Sequence, residues 1–209
     1  MPVLKNILFL FSLIIAGILQ AGYSQNTPEF DRLKSAFENN RIFTASFYHV
    51  YSDSFTGEQQ EAEGTIWIGK EQYKIEGNNQ RMVVDGEISR VYDETRNRLI
   101  ISEYIEEEDD FAPSRMLQGV DDSYSVSERA IENNQTLITL TSEDPFSVFT
   151  EVSIYLSEEG NPLRISATDQ VENELTTTFS NGRFTDAGPD TFELNIPEGT
   201  ELIDLRHDN

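Results

Sequence analysis

The chain has 209 residues, no cysteine, two histidines and a formal net charge of -23 from 15 Lys and Arg against 38 Asp and Glu. Its length suits one domain, and the missing cysteine excludes a disulfide scaffold, a thiol nucleophile or metal site, and lipidation of this chain at an N-terminal cysteine. The acidic balance sets nucleic acid and anionic lipid headgroups aside as direct ligands, because repulsion dominates at both.

Lys5 precedes the apolar run Ile7 to Leu19, which breaks up at Gln20-Ala21-Gly22-Tyr23-Ser24. A basic start, a short apolar core and small residues make residues 1–24 a secretory signal peptide, with cleavage expected just before Gln25 or after Ala21. An uncleaved anchor is the competing reading of the same run. No later stretch is apolar enough to span a bilayer, so the mature chain of about 185 residues is expected to be a water-soluble exported protein.

Thr27 to Asn39 predicts the first helix, with Thr27 as N-cap, Pro28 at the first helical position and Glu29 and Asp31 in the first turn. Phe30, Leu33, Ala36 and Phe37 fall on one face at helical spacing, and that stripe needs a sheet to lie on. From Phe43 the period changes to two, with Phe43, Ala45 and Phe47 on one side. Further strands are predicted at Gly64 to Gly69, Gln72 to Glu76, Arg81 to Val84, Ile88 to Tyr92 and Leu99 to Tyr104, separated by turns such as Gly77-Asn78-Asn79 and Asp85-Gly86.

An acidic stretch from Glu106 leads into a second short helix, starting near Pro113 and stopping at Gly119. Strands resume at Tyr124 to Glu128, Gln135 to Ser142, Val148 to Ser157, Leu163 to Asp169 and Leu175 to Phe184, with Gly160-Asn161 and Asn181-Gly182 as turn candidates. Phe192, Leu194 and Ile196 alternate as a last strand before Pro197-Glu198-Gly199, and the polar tail that follows is expected to fray, the frayed part put after about residue 204. The fold class is therefore mostly β (α+β): a single curled antiparallel sheet with two helical insertions, over one domain from residue 25 to 209. A sheet this long must curl, split or close to manage its edges.

Chemistry-bearing residues are sparse. His49 sits in a strand and His207 in the tail, too few to hold a metal, and both read as structural or terminal side chains. The pairs Asp109-Asp110 and Asp121-Asp122 are expected by chance in so acidic a chain and lack the loop pattern of a calcium site. Phosphate loops and nucleophile elbows are missing too, so no catalytic residue, metal or cofactor is assigned. The sequon Asn134-Gln135-Thr136 is the kind of triplet that chance supplies.

In order along the chain stand the signal peptide, the amphipathic helix, Phe43-Thr44-Ala45-Ser46-Phe47, Gly64-Thr65-Ile66-Trp67-Ile68, Tyr73-Lys74-Ile75, Val84-Asp85-Gly86, Val91-Tyr92-Asp93, the Ala112-Pro113-Ser114 to Leu117 helix and Ile196-Pro197-Glu198-Gly199. This order resembles the outer-membrane lipoprotein carrier family over nearly all of the mature chain. The resemblance implies a half-open, unclosed β-barrel whose short helices form a lid over the concave face. It further implies a monomeric periplasmic chaperone with no covalent chemistry and no cofactor. Its partners would be acylated lipoproteins as cargo, an inner-membrane ABC-type lipoprotein release complex and an outer-membrane acceptor.

On the same resemblance the lipid-binding cavity falls on Phe47, Tyr73, Ile75, Met82 and Val84, and the lid on Phe30, Leu33, Phe37, Phe111, Met116 and Leu117. Two positions depart from the family. Lys70 stands where better-known carriers have an arginine latch to the lid, and a lysine lacks the planar fork. Arg90 stands where tryptophan is common, and is expected on the convex, wet face. Two other binding functions compete: a periplasmic lipid- or lipoprotein-sensing domain of the same fold, and a secreted β-sandwich carbohydrate-binding module. An enzyme is the remotest reading.

Overall fold

The computed structural model describes residues 26–105, 109 and 113–206. The signal-peptide run, Asp110, Phe111 and His207 lie outside the described residues.

Helix α1 (Pro28–Glu38) forms as its apolar spacing requires, burying Phe30, Leu33 and Phe37 on one stripe. Thr27 occupies the N-cap, but its side chain makes no capping bond. Glu128, far along the chain, does this instead: its Oε2 accepts from the N–H groups of Glu29 and Phe30, both at 3.0 Å. A carboxylate suits that end because it meets both the orphan donors and the positive pole of the helix.

The strands that follow are β1 (Arg41–Ser52), β2 (Gln59–Ile68), β3 (Tyr73–Gly77), β4 (Gln80–Val84), β5 (Ile88–Asp93) and β6 (Arg98–Glu103). Helix α2 (Pro113–Gln118) interrupts them. It stops at Gly119, whose φ of +117° is open to glycine and strained for other residues. Then come β7 (Ser125–Ala130), β8 (Thr136–Thr141), β9 (Phe149–Leu156), β10 (Pro162–Asp169), β11 (Glu174–Asp186) and β12 (Glu201–Asp204).

Among the described residues these strands make one twelve-stranded sheet in the order β12-β6-β5-β4-β3-β2-β1-β11-β10-β9-β8-β7. Two antiparallel meanders, β1–β6 and β7–β11, meet along a seam where β1 pairs with β11, and β7 and β12 remain as unjoined edges. The sheet is thus curled and unclosed, as the sequence pattern anticipates.

Three expectations are corrected here. Asn181-Gly182 is not a turn but a bulge inside β11, where the register with β1 shifts between Thr44 and Ser46. The bulge needs glycine because a Cβ on Gly182 would stand 2.6 Å from the buried Phe43 ring. Phe192, Leu194 and Ile196 form no strand. That segment crosses one face of the sheet, where Phe192 packs beside Gly69 and Asn195 O accepts a hydrogen bond from Arg81 Nη1 at 2.9 Å. Finally, the tail does not fray at once after Gly199: Glu201–Asp204 pairs with β6 in parallel, so the sheet is not wholly antiparallel. Alternation alone could not reveal this, because unpaired β6 hydrogen-bonding groups, not apolar periodicity, recruit the strand.

The two helices lie on the opposite face, called inner below. Their buried residues join one core with Phe43, Ala45, Phe47, Ile66 and Ile68 of β1 and β2 and with the inner residues of β8–β11. At the seam Phe43 meets Phe179 and Phe184 with ring centroids 5.3 and 5.4 Å apart, and Phe37 of α1 meets Phe184 edge-on at 5.3 Å.

Candidate functional site

Strand register places side chains on faces without ambiguity, since residues directly paired share one side of the sheet. The pairs run Ile66–Ile75, Ile75–Met82, Met82–Val91, Val91–Ile100 and Ile100–Ile203, one row crossing β2, β3, β4, β5, β6 and β12. Ile66 at its inner end is fully buried in the core, whereas Ile75, Met82, Val91, Ile100 and Ile203 are all partly open to solvent. At the usual strand spacing those five residues form an apolar lane about 19 Å long. Beside it runs a second row, Ile68–Tyr73, Tyr73–Val84, Val84–Ser89 and Ser89–Ser102. This one is buried from Ile68 to Ser89.

All five lining residues expected from the sequence therefore share the inner face. They differ in accessibility: Phe47, Tyr73 and Val84 are buried, and Ile75 and Met82 line the open lane. Of the lid residues, Phe30, Leu33, Phe37, Met116 and Leu117 are each no more than 2% exposed. Phe111 lies outside the described residues. The helices are closed down on the β1, β2 and β7–β11 half of the sheet, and the lane on β3–β6 and β12 lies beside them. Closure follows from the apolar character of both surfaces, which bury each other in water.

Sequence reasoning missed several residues here. Val91, Ile100 and Ile203 extend the lane, and only the pairing of their strands places them on Met82's side, because period-two counting from Met82 through the Asp85-Gly86 turn arrives at Arg90 instead. Asp109, read as one of a chance pair, is gripped by two phenols: Tyr73 donates to its Oδ2 at 2.6 Å and Tyr104 at 2.9 Å. Burial and the neighbouring carboxylate push the Tyr73 phenol far above its ordinary range. This clasp ties Asp109, four residues ahead of α2, to the inner face.

The other end of α2 is tied too. Gln118 Nε2 donates to the carbonyl of Lys70 at 2.7 Å, so at the expected latch position the helix meets the main chain of Lys70. Just beyond, Val120 has φ of +61°, a genuine outlier for a β-branched residue. Strain of this kind costs about 1–3 kcal/mol and collects where a segment has two arrangements.

Arg90 pairs with Val83 and lies on the outer face, where it meets Asp85 at 2.6 Å. His49 is half-buried on β1, its Nδ1 2.8 Å from Thr177 Oγ1, and burial lowers its pKa below the ordinary histidine value.

A sequence model described as outer membrane lipoprotein carrier protein LolA matches residues 38–195. The chain belongs to this family. An outer-membrane lipoprotein carrier protein of Chromohalobacter salexigens is 27% identical over 184 residues, covering 83% of this chain and 85% of that relative. Among solved structures, an uncharacterized conserved protein from Thermus thermophilus aligns with a TM-score of 0.52 at 11% identity, over 83% of this chain and 98% of that one. It supports the fold alone. The matched span of the lipoprotein carrier family starts in α1 and ends short of β12, so Ile203 and its parallel strand fall beyond it.

Proposed function

We propose that this chain is a periplasmic carrier that receives the acyl chains of lipoproteins on its inner face and conveys them from the inner to the outer membrane. Family membership supports a lipoprotein carrier; the half-open lane Ile75–Met82–Val91–Ile100–Ile203, continuous with the closed core beneath the helices, is the observation that carries the finer reading. Each buried methylene is worth about 0.8 kcal/mol, so three chains of about 15 methylenes expose on the order of 35 kcal/mol to water if nothing covers them. The sheet offers a flat start for one chain, and swinging the helices off the core would uncover Phe47, Phe43 and Ile66 for more. Methionine and isoleucine suit a surface that must re-pack around flexible hydrocarbon. Helices that close again on that core as cargo leaves would keep empty and loaded states near in free energy, so that cargo can also be released.

An ABC-type release complex in the inner membrane would supply the cargo, and an acceptor at the outer membrane would take it. Native mass spectrometry of the chain purified from periplasm with a co-expressed lipoprotein tests the reading. The acylated cargo should be retained, a cargo variant without the lipid should not, and Met82→Glu/Ile100→Glu should abolish retention. Equal retention of lipidated and lipid-free cargo would sink it.

A further inference from the structure

Three hairpin loops stand together at one end of the sheet: 53–58 between β1 and β2, 142–148 between β8 and β9, and 170–173 between β10 and β11. They differ in length but share one bond. The carboxylates of Asp53, Asp144 and Asp169 accept the N–H two residues on, from Phe55, Phe146 and Val171, each at 2.9 Å. Each turn thereby holds an apolar side chain at its tip, and these are 97%, 92% and 68% exposed, the highest values among the large apolar residues described.

Further bonds staple the loops to one another. Ser54 N donates to Asn173 Oδ1 at 2.9 Å and Ser54 Oγ to Val171 O at 2.7 Å, while Gln170 Nε2 reaches Asp144 O and Ser147 O at 3.3 and 3.0 Å. Apolar residues scattered singly over a surface need no explanation. Three at the tips of turns capped by the same aspartate bond, and hydrogen-bonded to one another, do, because pre-organisation lowers the cost of binding and core aromatics anchor interfaces.

We propose that these tips form a docking face for a protein partner whose apolar pockets are edged by Lys and Arg. Charge selects this occupant: residues 53–58 and 142–148 carry two carboxylates each and 169–174 carry three, and none of these stretches contains Lys, Arg or His. An anionic bilayer would repel that ring, and so would a second copy of a chain whose net charge is -23. A basic protein surface is steered toward it. The face lies at the hairpin tips, away from the apolar lane, so the inference does not rest on the carrier reading.

The test places the photoreactive residue p-benzoylphenylalanine at 55, 146 or 171 of the full chain, and at the exposed Glu87 and Glu158 of the opposite end, in the native cells. One protein adduct of the same mass is expected from all three tips, with the two control positions silent. Glu58→Lys/Glu143→Lys/Glu172→Lys, which leaves the capping aspartates intact, should lower its yield about tenfold, and raised salt should lower it likewise. That variant should still retain acylated cargo, which separates failure here from failure of the carrier. Flotation of the purified chain with phosphatidylcholine vesicles, with and without phosphatidylglycerol, should leave it in the unbound fraction. Binding to either vesicle that Phe55→Ser/Phe146→Ser abolishes would overturn the proposal in favour of a membrane. Adducts equal at tips and controls, adducts indifferent to charge reversal, or none at all would overturn it outright.

Discussion

Tyr73 shows how one side chain couples the sheet to Asp109, ahead of α2 in the chain. Its ring is buried against the inner face, its hydroxyl donates to Asp109, and its phenol is held protonated well past the ordinary value near 10. A group whose folded-state pKa is raised stabilises the fold fully below the unfolded value, and that stabilisation drains away as pH climbs above it. Thermal stability should therefore fall from about pH 10 upward. Tyr73→Phe should flatten that fall while costing about 1–2 kcal/mol at neutral pH, both readable by urea melts across pH. An unchanged alkaline slope would show that another group governs it. Gly182 offers a second check at this scale: Gly182→Ala would press a methyl into the Phe43 ring, which has no room to move, and should cost about 1–3 kcal/mol by denaturation.

Elements legible from the chain are those whose signal is local. Pro28, the acidic first turn and the stripe Phe30–Leu33–Phe37 specify α1 without help, and alternation from Phe43 to Phe47 specifies both the strand and its buried side. What is hidden depends on partners far away. The cap on α1 comes from Glu128, the strand at Glu201–Asp204 exists because β6 has an open edge, and the Asn181-Gly182 dipeptide becomes a bulge because β1 holds both its flanks in register. The lane was half legible, Ile75 and Met82 by family likeness, while Val91, Ile100 and Ile203 declare themselves only once pairing fixes which side each faces. Glu128→Ala should loosen α1 by about 1 kcal/mol, with Glu128→Gln recovering part of the loss because it still accepts a hydrogen bond. Hydrogen exchange of the α1 amides against those of β1 would show the effect confined to the helix.

Taken whole, the molecule carries its excess negative charge on a thin, unclosed sheet rather than around a compact sphere. Self-repulsion should work against the compact state and be relieved by screening. Raising NaCl from about 0.02 to about 0.5 M should raise Tm, with most of the gain arriving by about 0.15 M, where the Debye length has dropped to about 8 Å. A falling Tm would mean that the surface ion pairs, such as Arg81 with Glu94 and Arg98 with Glu201, outweigh the general repulsion.

The β1–β11 seam also has a kinetic meaning. Either meander can zip up from neighbouring hairpins, but Phe43 must find Phe184 across most of the chain's length, a high-contact-order event whose loop-closure entropy is lost before any reward arrives. Joining the halves should set the pace of refolding. In stopped-flow chevrons Phe179→Leu at the seam should slow folding, whereas Ile138→Val inside the second meander should chiefly hasten unfolding.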